Sequence, residues 1–267
     1  MLRLVRAEEK EKLLNRLRKD PSRAMFIIGD IEQNGLHTDY QTTWIEEVDG
    51  EFLAVYLKYH KNFVFYLFDN SFEPKHLLDL LKQVQPINCN AAKSHFNKVY
   101  PLIQSFVNVR EMFFCECTSQ DHGIALTDVR RAKVSDAEAI ARSLDRIVEF
   151  NMEPLTIEER TERIRSRFEE NKSRGFMVEK DGQVVAYAST AVETGTSAMV
   201  ASVFCLPEYR GKGYAKQAVW ALTEDCLNNG LLPCLFYDNP SAGRIYHRLG
   251  YVTFDTWMLA KVEGEIR

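Results

Sequence analysis

Apolar and polar positions along the chain follow two different periods, and the switches between them fall at recognisable punctuation. From Glu8 to Lys19 the leucines stand at 13, 14 and 17, a helical spacing. Alternation then predicts strands over Thr42–Glu47, Glu51–His60 and Phe63–Phe68. The first two meet across Asp49-Gly50, a strong hairpin signal between apolar runs. A helix is expected from about Glu73 to Val84, with Asn70 and Ser71 available as caps. A short strand at Ile87–Cys89, a helix from about Ala91 to Phe106 and a strand through "EMFFCEC" complete this half. The segment "TSQDHGIAL" is polar, contains glycine and interrupts periodicity, which makes it the expected linker.

The same order then returns. "LTDVRRAKVSDAEAIARSL" predicts a strand and a helix, with Ser135 as cap and Glu138 three residues later. Thr156–Glu169 is a helix, and "GFMVEKDGQVVAYAST" is a hairpin turning at Asp181-Gly182. Ser197–Leu206 reads as a strand, Tyr214–Asn228 as a helix, Leu231–Tyr237 as a strand and Ser241–Arg248 as a helix. "YVTFDTWMLAKV" supplies one or two last strands. Both halves run helix, hairpin, strand, helix, strand, helix, strand, as a degenerate internal duplication would.

Composition narrows the picture. At 267 residues, two domains are a reasonable expectation. With 45% hydrophobic and 27% charged residues the chain has the profile of a globular protein. A net charge of −4 argues against nucleic acid as a partner. No apolar run is long enough to span a membrane, and the charged, helix-patterned N-terminus has no signal-peptide core, so the expected location is cytoplasmic. The six scattered cysteines read as reduced thiols rather than a disulfide framework. Cys115 and Cys117 form the one close pair, without a second pair or histidines at ligand spacing, and no metal is expected.

One stretch carries chemistry. In "LPEYRGKGYA" an apolar strand gives way to a helix through Arg210, Gly211, Lys212, Gly213, Tyr214, Ala215 and Lys216. Such a junction aims backbone N–H groups and the positive end of a helix at one spot, and glycines let a bulky anion approach. Arg210 and Lys212 add charge, so the expected ligand is a diphosphate. The P-loop pattern is absent, and a dinucleotide fingerprint fails at Lys216.

"VFCLPEYRGKGYAKQAV" resembles the acyl-CoA-binding motif of the GNAT N-acetyltransferase superfamily: Gln or Arg, two residues, Gly, one residue, Gly or Ala. Arg210, Gly213 and Ala215 stand at its defining positions. "NPSAGRIYHRLGY" resembles the superfamily's next motif, with Asn239, Tyr246, Gly250 and Tyr251 in register. The likeness covers about residues 125–267. It implies an α/β (α+β) fold of two GNAT-like domains, each a mixed, mostly antiparallel sheet flanked by helices. Residues 1–122 would be the degenerate domain and 123–267 the catalytic one.

The resemblance further implies acetyl-CoA as cosubstrate, lying where Ala198–Leu206 and Leu231–Tyr237 splay apart. Its pantetheine arm would pair with Phe204, Cys205 and Leu206, its pyrophosphate would rest on amides of residues 211–216, and Arg210 would help hold the loop. Asn239 would contact the arm, although Asn-Pro is also simply a good helix start. Tyr246 would protonate the departing thiolate; its place among Ala242, Ile245 and Leu249 is equally that of a core aromatic. Backbone N–H at Cys205 or Leu206 would serve the oxyanion.

The general base stays open among Glu193, Glu153 and a water. Cys234, where some relatives carry glutamate, reads as core packing, and His247 should face away from the site. In the first half "DNSFEPKHLLDLL" occupies the loop's place without a glycine, which predicts a copy that has lost coenzyme binding. The leading expectation is therefore direct transfer of an acetyl or other short acyl group to a primary amine of a small molecule. A non-catalytic acyl-CoA sensor or scaffold, and acetylation of a protein N-terminus or lysine, are the alternatives. Monomer and homodimer are both open.

Overall fold

The computed structural model describes residues 1–119, 123–150, 155–264 and 266, apart from the side chain of residue 149. The chain divides into two compact units that are not consecutive stretches of sequence. The first is Met1–Cys115 with Phe236–Asp238 and Thr253–Arg267; the second is Glu116–Leu235 with Asn239–Val252.

The first unit opens with β1 (Leu2–Leu4), α1 (Lys10–Leu17) and α2 (Met25–Asn34). The hairpin β2 (Gln41–Val48) and β3 (Glu51–Tyr59) and then β4 (Asn62–Leu67) follow. Asp49 and Gly50 both take positive φ (51° and 80°), the backbone a two-residue hairpin turn demands. Next come α3 (Pro74–Val84), β5 (Asn88–Ala92), the short α4 (Lys93–Phe96) and α5 (Tyr100–Ile103), and β6 (Val107–Cys117). β1 to β4 pair antiparallel in sequence order, and β4 pairs β5 in parallel. Alternation buries both faces. Ile45, Val55, Leu57 and Val64 pack with Leu13, Leu17, Ile28 and Ile31, whereas Tyr56, Phe63 and Phe65 pack with Leu77, Leu81 and Phe96.

Three local expectations are corrected here. The helix expected over 91–106 is two single turns, because β5 runs through Ala92 and Pro101 restarts the chain at the first turn of α5. Neither Asn70 nor Ser71 caps α3; the Glu73 carboxylate does, accepting from the Lys75 amide at 3.2 Å. Helix α2 was not foreseen: Ala24 at its start offers no side-chain cap, and Gly29 interrupts the pattern.

The second unit contains β7 (Val129–Arg131), α6 (Ala137–Asp145), α7 (Ile157–Glu169), β8 (Gly175–Lys180), β9 (Gln183–Glu193) and β10 (Ser197–Cys205). Then follow α8 (Tyr214–Asn228), the first residues of β11 (Leu232–Tyr237), α9 (Pro240–Arg248) and the start of β12 (Tyr251–Val262). β7 to β10 pair antiparallel in sequence order, and β10 pairs β11 in parallel. Asp181 and Gly182 repeat the positive-φ turn, at 52° and 73°. Ser135 does not cap α6; Asp136 folds back to accept from the Lys133 amide at 2.7 Å. Ile140, Leu144, Met177, Tyr187, Phe204 and Leu206 share one core, and α8 packs against β8, β9 and β10.

The last strand returns to the first unit: from Trp257 to Lys261, β12 pairs antiparallel with β5, and Met258 and Ala260 enter that unit's core. Among the described residues no helix is long and apolar enough to cross a membrane, and no metal-competent group of His, Cys, Asp and Glu is found.

Candidate active site

The site begins with a strand that loses one neighbour. β10 pairs β11 from Ser197 and Leu232 to Val200 and Leu235, and the parallel register ends there. Its pairing with β9 continues to Phe204 opposite Tyr187 and Cys205 opposite Ala186, with a register shift after Ala201. Inside that irregularity Ser202 holds φ at +50°, a left-handed backbone that serine adopts only when its surroundings impose it. Nothing in the sequence marks this bulge, because a serine in an apolar run carries no conformational signal.

Beyond the bulge, the Leu206 amide donates to Val185 O at 2.9 Å. Its N–H is thereby taken, which removes it as an oxyanion donor. Strand alternation turns the Cys205 N–H and C=O to the opposite edge. There Arg210 Nε donates to Cys205 O at 3.2 Å, tying the loop to the strand end. Burial raises the Cys205 thiol pKa, partly offset by the nearby Arg210 guanidinium.

Gly211 and Gly213 have φ of +79° and +83°. A Cβ built on either meets nothing within 4 Å, so the sign of φ, not crowding, selects glycine. Gly213 is the N-cap of the 15-residue α8, and Gln217 N to Gly213 O (3.1 Å) is the first bond of its ladder. The amides of Tyr214, Ala215 and Lys216 precede that bond and have no acceptor within the helix. Arg210 and Lys212 are exposed, and Lys212 Nζ sits 5.0 Å over the Tyr209 ring. The loop thus presents amides, a helix N-terminus and two cations to solvent, an arrangement suited to a diphosphate.

Asn239 caps α9: its Oδ1 accepts from the Ser241 amide at 2.9 Å, with Pro240 at the first helical position. Tyr246 is buried on the same helix, its ring edge-on to Tyr251 at 6.0 Å. Tyr251 in turn bonds Thr223 Oγ1 at 2.7 Å, fully buried. His247 Nδ1 donates to Tyr251 O at 2.9 Å, a structural task. Cys234 is buried, as expected.

Of the candidate bases, Glu153 lies outside the described residues. Glu193 is bound on both oxygens, by Arg174 Nε (3.0 Å) and Nη2 (2.9 Å), and by Thr190 Oγ1 (2.6 Å). It faces Ala198 across the ladder, whereas Cys205 faces Ala186. That separation is about 20 Å along the strands at roughly 3.3 Å per residue. Glu193 holds Arg174 and is not placed to take a proton near Cys205.

Comparison with known proteins bears on this geometry. Residues 143–251 match the model of the Acetyltransferase (GNAT) family. Those residues form a GNAT acetyltransferase domain. The chemistry of that family is acyl-CoA-dependent acyl transfer, and the protein is an acyltransferase. No curated protein matches the chain in sequence. Solved structures resemble it over its whole length. A GCN5-related N-acetyltransferase from Sphaerobacter thermophilus superposes with a TM-score of 0.66 at 16% identity, covering 100% of this chain and 96% of its own. A GNAT-family acetyltransferase from Colwellia psychrerythraea gives 0.63 at 12% identity, covering 98% and 99%. A tandem GNAT protein from the clavulanic acid biosynthesis pathway gives 0.57 at 11%, covering 98% of each chain. At these identities the likeness is one of fold, and that fold is two GNAT-like halves.

The first GNAT-like half shows what stands in the equivalent place. Its parallel pair β4–β5 runs from Asn62 and Asn88 only to Val64 and Asn90. α3 then begins without a glycine loop, and a carboxylate of the protein itself sits at its start. Glu46, buried, accepts from the Glu73 amide at 2.6 Å and from Tyr56 OH at 3.1 Å, and His76 Nδ1 lies 3.2 Å away. An internal anion satisfies this helix end.

Proposed function

We propose that this protein moves an acetyl or other short acyl group from coenzyme A to a primary amine of a small molecule, by direct attack in a ternary complex. The observation that carries the reading is the end of β10. There the parallel register with β11 stops, and the strand passes through two left-handed glycines into the N-terminus of a long helix. A pantetheine arm runs along the strand end at Phe204, Cys205 and Leu206, where the Leu206 N–H is spent on Val185 and the Cys205 N–H lies on the open side. The pyrophosphate takes the amides of Gly211, Lys212, Gly213, Tyr214, Ala215 and Lys216. Arg210 braces the loop, and the Asn239 NH2, whose carboxamide oxygen is already spent on the cap, turns to the arm.

A thioester needs little activation toward a neutral amine. The enzyme supplies orientation, a donor for the developing oxyanion and a proton for the leaving thiolate, while the proton that the attacking amine sheds passes to a water. The Cys205 N–H fills the second role and Tyr246 the third. In this reading the second GNAT-like half is catalytic and the first, with Glu46 at its helix end, binds no coenzyme. A free-thiol assay with acetyl-CoA and a panel of small amines tests it: amine-dependent thiol release supports transfer. Its absence across the panel, with acetyl-CoA still bound, removes the enzymatic reading in favour of a binding module.

A further inference from the structure

Helix α2 of the first unit turns Met25, Ile27, Ile28 and Ile31 into the core and leaves Phe26 and Asp30 on its other side, half-buried. Four residues apart, they are neighbours on one face. The Phe26 ring lies 6.0 Å from Phe236, stacked, and 5.2 Å from Trp257. Phe236 stacks on Trp257 at 5.3 Å, and Phe114 joins it to Phe254, each at 4.5 Å. All of these residues belong to the first unit. Phe26, Phe236 and Phe254 remain half-buried, so the group is an aromatic face with solvent access rather than a sealed core.

This face already holds one cation. Arg23, in the turn that leads into α2, lies 4.9 Å over the Phe254 ring. It also donates from Nε to Asp255 at 2.6 Å. Asp255 further accepts from Ser94 (2.7 Å) and from the Thr256 amide (2.8 Å), so its charge is compensated. The Asp30 carboxylate has no such partner: among the described residues no hydrogen bond or ion pair reaches its side chain. Burial alone pushes it up to about 7. One helical turn from Asp30, the Phe26 ring lies against Phe236 and Trp257, so the carboxyl and the aromatic face share one side of α2.

We propose that the first unit carries a binding site for an organic cation, a primary ammonium on an aromatic or apolar body, with Asp30 as its charge partner and Phe26, Phe236 and Phe254 as its ring contacts. Aromatic faces attract cations, and a desolvated carboxylate regains in an ammonium what burial took from it. The ligand class is that of the acceptor proposed above, but the site is tested without coenzyme, so the two readings fail separately.

The test is isothermal titration of the full-length protein with 2-phenylethylammonium, and with neutral 2-phenylethanol of the same shape, without acetyl-CoA, with Trp257 emission as second readout. The expected result is saturable binding of one cation, weakened at least about tenfold for the alcohol and at least about tenfold in Asp30→Asn. In Phe26→Leu, which keeps the helix apolar and removes the ring, affinity falls several-fold. No binding up to about 10 mM, equal affinity for the alcohol, or undiminished affinity in Asp30→Asn overturns the proposal. Should Asp30→Asn fail to fold, undiminished affinity in Phe26→Leu overturns it as well.

Discussion

Arg210 Nε donates to the carbonyl oxygen of Cys205 at 3.2 Å, closing the glycine loop onto the strand it has just left. Strand end, loop and helix start are thereby held as one piece, and the loop's amides keep a fixed direction. Arg210→Ala is expected to weaken acetyl-CoA binding about tenfold or more, read by titration. Gly213→Ala, forced to hold φ near +83°, should add strain of about 1–2 kcal/mol, lower the melting temperature and weaken binding as well. Wild-type affinity in both variants would detach the loop from the coenzyme.

Tyr246 separates binding from chemistry. Tyr246→Phe keeps the ring packing against Tyr251 and removes only the hydroxyl. Turnover should fall by about 10²-fold, in the range of general-acid effects, while acetyl-CoA affinity stays within about twofold. Unchanged turnover would return Tyr246 to the core.

Cys205 is half-buried, whereas Cys89, Cys115, Cys117, Cys226 and Cys234 are buried. A maleimide added to the native protein should label one thiol, slowly at neutral pH because burial raises the Cys205 pKa. Saturating acetyl-CoA should protect it. Peptide mapping that finds another cysteine labelled first, or no protection, contradicts the placement of the pantetheine arm at Cys205.

Asp30 makes stability depend on pH. Its folded pKa, about 7, lies above the ordinary carboxylate value, so the folded chain holds the proton more tightly than the unfolded one. The contribution is fully present below about pH 4 and is lost as pH rises through about 7, where the ionised, desolvated group costs a few kcal/mol. Asp30→Asn escapes that loss. Its melting temperature should exceed that of the wild type by several degrees at about pH 8, and the gap should close toward about pH 4. A gap independent of pH rules this out.

Glu46 carries the corresponding test for the first half. Glu46→Ala leaves the Glu73 amide and the Tyr56 hydroxyl without their acceptor and should destabilise the protein by about 2–4 kcal/mol. Titration should still find one acetyl-CoA per chain in wild type and variant, because no glycine loop precedes α3. Two sites per wild-type chain would overturn the assignment of the first half as silent.

Much of this was legible in the chain, for local reasons. Asp49-Gly50 and Asp181-Gly182 announce hairpins because their turns need positive φ, which these residues tolerate best. The RGKGYA loop and Asn239-Pro240 announce a strand–loop–helix junction and a capped helix, and both stand where they were expected. What escaped is what local signals do not carry. Ser202 looks like any strand residue, and its bulge is imposed by the mismatch of β10 with β9. Glu193 looked available as a base until Arg174, 19 residues earlier, closed on it.

Taken alone, the sequence determined most of the element order, the two turns, the glycine loop and the family that the second half resembles. Each is written in short-range backbone preferences and spacing. Only the tertiary structure decided that the last strand completes the first unit's sheet beside β5, that Glu46 satisfies the helix end where the first half has no loop, and that Phe26 gathers with Phe236 and Trp257 on the side of α2 that carries Asp30. Those outcomes join residues as distant in sequence as Phe26 and Trp257. Pairing between strands and the burial of charge depend on which surfaces meet in space, and periodicity along the chain is silent on that.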